Sequence, residues 1–146
     1  MLALVQRVRE ARVEVAGRVT GAVGPGLLVF VCVVPADGER EAARLVDRLL
    51  ELRIFADAAG KMNRSLQDMG GGLLIVPQFT LAADTAGGNR PSFSAAAPPA
   101  QGRALYERVL QFARARHTPV AAGEFGADMQ VHLINDGPVT IPLEVR

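Results

Sequence analysis

The chain has 146 residues, one Cys, no Trp and a formal net charge of +1, with 49% hydrophobic and 21% charged residues. That is the size of one domain, here residues 1–146, and the composition of a globular one, which excludes a disordered chain. A single cysteine excludes a disulfide framework, and no Cys/His cluster has zinc spacing. The start has only five apolar residues before Gln6 and Arg7, and the longest apolar run, Leu27 to Val34, has eight. Neither reads as a signal peptide or a membrane span, so the expectation is a soluble cytoplasmic domain. Near-neutral charge excludes a surface coated in base but not a local phosphate-binding patch. The basic residues are fifteen Arg and one Lys, Lys61. This is either compositional drift in an Ala- and Gly-rich chain or a preference for the guanidinium fork, which suits phosphate and base stacking.

In chain order, Leu2 to Val8 is apolar apart from Gln6 and Arg7, and Arg12 to Val15 alternates as a half-buried strand does. Gly17 and Gly21 flank Arg18-Val19-Thr20, and Gly24-Pro25-Gly26 signals a turn. Leu27 to Val34 reads as a strand buried on both faces. A helix follows, with Asp37 as N-cap and an apolar face of Ala42, Leu45, Val46, Leu49, Leu50 and Leu52. Arg53-Ile54-Phe55 reads as a short strand and Ala56 to Lys61 as a turn. Gly70-Gly71-Gly72 leads into a strand over Leu73 to Leu81, and residues 82 to 99 form a long loop of the kind that is often functional. A second helix covers roughly Ala100 to Arg116, with Leu105, Val109, Phe112 and Ala113 inward. Two strands, Met129 to Ile134 and Val139 to Val145, close the chain across Asp136-Gly137-Pro138. The tally is about seven strands and two helices. It favours an α/β fold in one domain: a mixed, curved sheet or open barrel with two helices packed on it. No G-x-G-x-x-G and no P-loop supports a doubly wound nucleotide fold.

Side chains suited to covalent catalysis are scarce. Ser65, Ser92 and Ser94 lie outside any G-x-S-x-G. His117 suits a helix C-terminus, His132 lies on a strand face with Gln130 and Ile134, and Cys32 falls in the most apolar strand, where a thiol is buried and inert. A Ser–His–Asp hydrolase and a metal hydrolase are both disfavoured. Two segments remain. On the strand read over Leu73 to Leu81, Gln78 and Thr80 share a face about 6.6 Å apart. They either orient a polar substrate or form a solvated strand end. Pro77 removes a ladder donor and suggests an edge or a bulge, which would free the Phe79 and Thr80 amides to hold a substrate carbonyl as an oxyanion hole does. Asn135-Asp136-Gly137-Pro138-Val139-Thr140 reads either as a plain turn or as a rigid Gly–Pro pair held beside a substrate.

These segments carry a resemblance. Pro77-Gln78-Phe79-Thr80-Leu81 with Ala82-Ala83-Asp84-Thr85, and Asn135-Asp136-Gly137-Pro138-Val139-Thr140, resemble the two signature motifs of the D-aminoacyl-tRNA deacylase family. The resemblance extends over the whole chain through Gln6-Arg7-Val8, Gly26 to Val29, Arg53-Ile54-Phe55, Gly60 to Asn63, Arg90 to Ser94 and Ala127 to Val131. It implies a homodimer with a barrel-like α/β fold that hydrolyses the ester between a D-amino acid and the terminal adenosine of tRNA. The implied partner is the 3′ end of aminoacyl-tRNA, with no DNA and no membrane, and no cofactor or metal is implied. Gly137-Pro138 corresponds to a cis pair that enters the partner's site and excludes L-amino acids. Glycine has no side chain to exclude, so glycyl-tRNA mischarged on alanine tRNA is a further implied substrate.

The resemblance requires no side-chain nucleophile, since the substrate's own 2′-OH helps to activate water. Gln78, Phe79 and Thr80 match the substrate-binding strand, Arg7 the residue that braces the Gly–Pro loop, and Phe125 and Met129 residues beside the terminal adenine. The family usually has Ser where this chain has Pro77. If that hydroxyl is needed, the chain is a catalytically impaired module that binds the tRNA end. If the Phe79 and Thr80 amides do the work, Pro77 changes little.

Overall fold

The computed structural model describes residues 1–146. The strands are β1 (Leu2–Val15), β2 (Arg18–Val23), β3 (Gly26–Cys32), β4 (Arg53–Ala56), β5 (Met62–Ser65), β6 (Gly72–Pro77), β7 (Val120–Ala122) and β8 (Gln130–Glu144). The helices are α1 (Glu39–Glu51), the single turn α2 (Leu66–Met69) and α3 (Pro99–Arg116), and a 3-10 turn spans Phe79–Ala82.

β1 organises the sheet. One edge takes β3 along Leu2 to Val8 and β2 along Ala11 to Val15, and the other takes β8 along most of its length, all antiparallel. β6 adds to β3, and β7 to β6, in parallel. The bend at Gly24-Pro25 turns β2 off the line of β3 and carries it to β7, where Thr20 Oγ1 stands 3.5 Å from the Ala122 carbonyl. The sheet therefore curls into a nearly closed barrel, as the mixed, curved sheet predicted from the sequence requires. Gly26 permits the close β3–β6 approach, since a Cβ there would collide with the Gly72 backbone.

The parallel strands alternate between two cores. Leu27, Val29, Val31, Leu73 and Ile75 pack under α1 and α3, while Leu28, Leu74 and Val76 fill the interior of the curl with Val8, Ala11, Val13 and Val23. β1 changes parity between Val8 and Ala11, both of which point into the curl, and its register with β8 slips at the same place. A strand with period 2 can do this only through a bulge.

Several boundaries differ from the sequence reading. Leu2 to Val8 and Arg12 to Val15 are one strand, because β8 pairs with both sides of the bulge at which Arg9 and Glu10 project outward. The helix cap is Gly38, whose N–H donates to Glu41 Oε2 at 2.8 Å. Asp37 instead accepts from the Val34 amide at 2.8 Å and from the Met1 nitrogen at 2.8 Å. The turn at Asp57 closes a hairpin onto β5, with Asp57 Oδ1 accepting from the Ala59 and Lys61 amides at 2.9 and 3.0 Å. β5 and β7 are too short and too polar, or too bland, for periodicity to reveal. The strand read over Leu73 to Leu81 ends at Pro77. In α3, Leu105, Val109 and Ala113 are buried as expected, and Phe112 is half-buried.

Four carboxyls are held below the ordinary carboxylate range: Glu14 by Arg12, Glu41 by the Gly38 amide, Asp57 by the Lys61 amide and Asp68 by the Ser65 amide. A depressed folded-state pKa means fewer bound protons folded than unfolded. The stabilisation is thus present above the unfolded pKa of about 4 and drains away as pH falls through the depressed values. Thermal melts from pH 7 to pH 2 are expected to show Tm falling below about pH 4, and Asp57→Asn is expected to flatten that acid limb.

Candidate active site

The parallel strands β3, β6 and β7 all run toward one end of the sheet, and a cavity of about 490 Å³ opens beyond their carboxyl ends. This is the place where α/β sheets commonly hold ligands. β3 and the residue after it deliver Cys32 and Val33, β6 and the turn after it deliver Pro77, Gln78 and Phe79, and the segment after β7 delivers Phe125 and Met129. The floor is fixed by Tyr106 of α3, whose buried hydroxyl donates to the Ile75 carbonyl at 2.7 Å. Burial pushes the Tyr106 phenol well above its ordinary pKa, so it stays a donor.

Gln78 and Thr80 do not lie along a strand. After Pro77 the chain turns into 3-10 geometry, which brings Gln78 Nε2 to 2.5 Å from Thr80 Oγ1. Phe79 and Thr80 are the first two residues of that turn, so their N–H groups have no acceptor inside it. The free amides inferred from an edge strand are thus accounted for by a helical turn. Pro77 costs no ladder bond. The Gln78 amide points to β3, donating to the Val31 carbonyl at 2.8 Å, so by alternation Pro77 faces the side where β7 has already ended.

Cys32 is buried, and burial pushes its thiol pKa up. Its Sγ lies 3.5 Å from the Phe79 carbonyl, so it props the turn. Phe79 itself is 59% exposed and meets Phe93 edge to face at 5.1 Å. Phe125 packs against Tyr106 at 6.1 Å, and Met129 Sδ accepts from the Glu124 amide at 3.4 Å. Both line the cavity together with Gln78 and Phe79.

Arg7, Gly137 and Pro138 do not line this cavity. They form a second constellation on the β1–β8 ladder. Pairing stops at Gln6↔Thr140 and resumes at Val8↔Asn135, so four residues of β8 stand opposite Arg7 alone. The segment read either as a plain turn or as a rigid Gly–Pro pair is thus a loop bulged from one continuous strand, and its Gly137–Pro138 bond is cis. Asn135 replaces the missing ladder. Its Oδ1 accepts from the Val139 amide at 2.8 Å, and its Nδ2 donates to the Val139 carbonyl at 3.1 Å and to Thr140 Oγ1 at 3.0 Å. Arg7 donates from Nε to the Asp136 carbonyl at 2.8 Å and from Nη1 to the Ile54 carbonyl at 2.7 Å. Gly137 and Pro138 are left exposed at the tip. Sequence reasoning missed Asn135, although an amide two residues before a Gly–Pro pair is the signal that could have found it.

The histidines lie elsewhere. His117 caps α3 and meets the Gly71 carbonyl at 2.6 Å, and His132 stands 3.4 Å from Glu14 on the sheet. No three His, Cys, Asp or Glu side chains converge in a ligating arrangement. No helix is long and apolar enough to cross a membrane.

The cavity lies at the carboxyl ends of parallel strands, where α/β enzymes commonly bind ligands, and its lining holds neither a Ser–His–Asp constellation nor a metal-ligating cluster. The family pattern described as D-Tyr-tRNA(Tyr) deacylase matches residues 4–144. A D-aminoacyl-tRNA deacylase of Methylibium petroleiphilum is 70% identical over 145 residues, covering 99% of this chain and 95% of that one. The solved structure of the c-Myc DNA Unwinding Element Binding Protein superimposes with a TM-score of 0.93 at 41% identity, over 99% of this chain and 98% of its own. A second, described as a probable eukaryotic D-amino acid tRNA deacylase, gives 0.84 at 19% identity over 97% of each chain, a likeness of fold. The chain belongs to the D-aminoacyl-tRNA deacylase family. It is an ester hydrolase that removes D-amino acids from tRNA.

Removing the Tyr106 hydroxyl leaves the Ile75 carbonyl with its bond from the Gly123 amide. Tyr106→Phe is expected to cost about 1 kcal/mol in urea unfolding, and Tyr106→Ala about 3–5 kcal/mol, in line with other large-to-small core changes.

Proposed function

We propose that the cavity takes the terminal adenosine and its aminoacyl ester, and that the Phe79 and Thr80 amides hold the ester carbonyl oxygen. Water adds to the carbonyl carbon, with the ribose 2′-OH helping to activate it. The ribose oxygen leaves with a proton, freeing the D-amino acid and intact tRNA. Gln78 orients the Thr80 hydroxyl beside the ester, and Phe125 and Met129 flank the adenine. Amides fixed by the 3-10 turn need no reorganisation as charge develops on the carbonyl oxygen. Bringing the 2′-OH, water and ester together supplies proximity.

The Gly137-Pro138 loop acts as the chiral filter of a second copy of the chain, in a cytoplasmic homodimer, with Arg7 bracing it. The observation that carries this reading is the split between the two constellations. Gly137 and Pro138 do not line the cavity of their own protomer, and they stand exposed on a loop braced from both sides by Arg7 and Asn135, as a part that acts on a second copy requires. A steric filter with no side-chain pocket passes glycine, so glycyl-tRNA mischarged on alanine tRNA is a substrate too.

Purified protein incubated with matched D- and L-tyrosyl-tRNA is expected to release only the D-amino acid. Cleavage of both would overturn the filter, and cleavage of neither would favour a module that only binds. A Cβ at Gly137 would lie 2.6 Å from the Val139 nitrogen, so Gly137→Ala displaces the loop. D-tyrosyl-tRNA turnover should then drop by at least about tenfold with little change in Tm. Arg7→Lys, which keeps the charge but loses the fork, should lower the D-to-L rate ratio, a quantity independent of how much protein is folded. Full activity from a monomer in sedimentation would contradict a filter supplied across the interface. Pro77→Ser should change kcat by less than about threefold, because Pro77 faces an unpaired position; a large gain would show that the serine hydroxyl matters.

A further inference from the structure

Arg103 lies in the second turn of α3 and is exposed. Its guanidinium carbon is 4.8 Å from the centroid of the Phe125 ring, and its Nη2 is 3.9 Å from where a side chain would stand at Gly126. Phe125, Gly126 and Gly102 all line the cavity. Arg103 is therefore an exposed cation beside the cavity lining at Phe125 and Gly126.

Two features separate it from an ordinary surface arginine. The first is order: stacking on an aromatic face restrains a long side chain that would otherwise keep its rotamer freedom. The second is the lack of a counter-ion. The first turn of α3 has no acidic residue, and no carboxylate stands within 4.0 Å of Arg103. Arg108, little more than a turn further on, takes Glu39 at 2.8 Å. A stacked guanidinium keeps its in-plane N–H donors, and those donors fit two oxygens of a phosphate.

The substrate carries that group. The terminal nucleoside of aminoacyl-tRNA is joined to a single-stranded end by a phosphodiester. With its ester at the Phe79 and Thr80 amides, the 5′ side of the nucleoside leads back toward the cavity mouth. We propose that Arg103 binds a backbone phosphate at the 3′ end of the RNA and so sets affinity for tRNA without taking part in ester cleavage. The proposal rests on the assignment of the cavity to the terminal adenosine.

The test compares wild type, Arg103→Gln, Arg103→Lys and Phe125→Ala on two substrates, D-tyrosyl-tRNA and a D-tyrosyl ester of adenosine that has no phosphate. Arg103→Gln should raise KM for tRNA about tenfold more than for the adenosine ester, the size of one charge-assisted hydrogen bond. Its plot of log kcat/KM against log salt should be shallower by about 0.7, the increment for one phosphate on a single strand. Arg103→Lys should keep the wild-type slope. Equal losses on both substrates would reduce Arg103 to a packing residue on Phe125, and an unchanged salt slope would also overturn the phosphate contact. Phe125→Ala separates the two levels. If it leaves both KM values unchanged, the cavity assignment fails. If it raises both while Arg103→Gln leaves the salt slope alone, only the phosphate contact fails.

Discussion

The structure depends on one constraint, the burial of β3 and β6 on both faces. Leu27 and Leu28, and Leu73 and Leu74, alternate into two separate cores, and all four are fully buried. A strand covered on both sides cannot carry polar side chains along its length, so the first polar residue it can offer comes where burial stops. For β6 that point is Gln78. The parallel pairing adds direction, because β3, β6 and β7 all finish at the same end and deliver Cys32, Phe79 and Phe125 to one cavity. The cavity opens where the burial of these strands on both faces stops.

That arrangement accounts for the scarcity of reactive side chains. Ester hydrolysis on RNA needs a held carbonyl, a placed water and a leaving oxygen, and backbone amides at the start of a tight turn can serve the first need without any titratable group. Cys32, the one thiol near the turn, is turned to other use. It props the Phe79 carbonyl, and burial keeps it protonated.

The β1–β8 ladder shows the complementary device. A strand pair left to itself would run in register from Leu2 to Glu14. Four residues set against Arg7 break it, and the freed backbone groups of Val139 are recovered by a side-chain amide rather than by a neighbouring strand. Arg7 reaches in two directions, to the loop at Asp136 and to the β4 backbone at Ile54. The Gly–Pro tip is thus tied to the hairpin beyond the sheet, and it is stiff because its braces are short, partly buried and arranged on both sides.

The sequence by itself determined the elements with strong pattern: the doubly buried β3, the amphipathic α1 and α3, the turn at Asp57, the inert place of Cys32, and two polar segments, around Gln78 and around Gly137, at which chemistry could sit. These follow from local rules, since burial on two faces demands a continuous apolar run and a packed helix demands its period. Tertiary structure alone decided the rest. That Leu2 to Val15 is one strand depends on partners along both edges. That Phe79 begins a 3-10 turn depends on where β7 ends. That Asp136-Gly137-Pro138 is a bulge and not a hairpin turn depends on β1 running past both of its sides. Each of these outcomes is fixed by contacts between residues far apart in the chain, and local periodicity holds no record of such contacts.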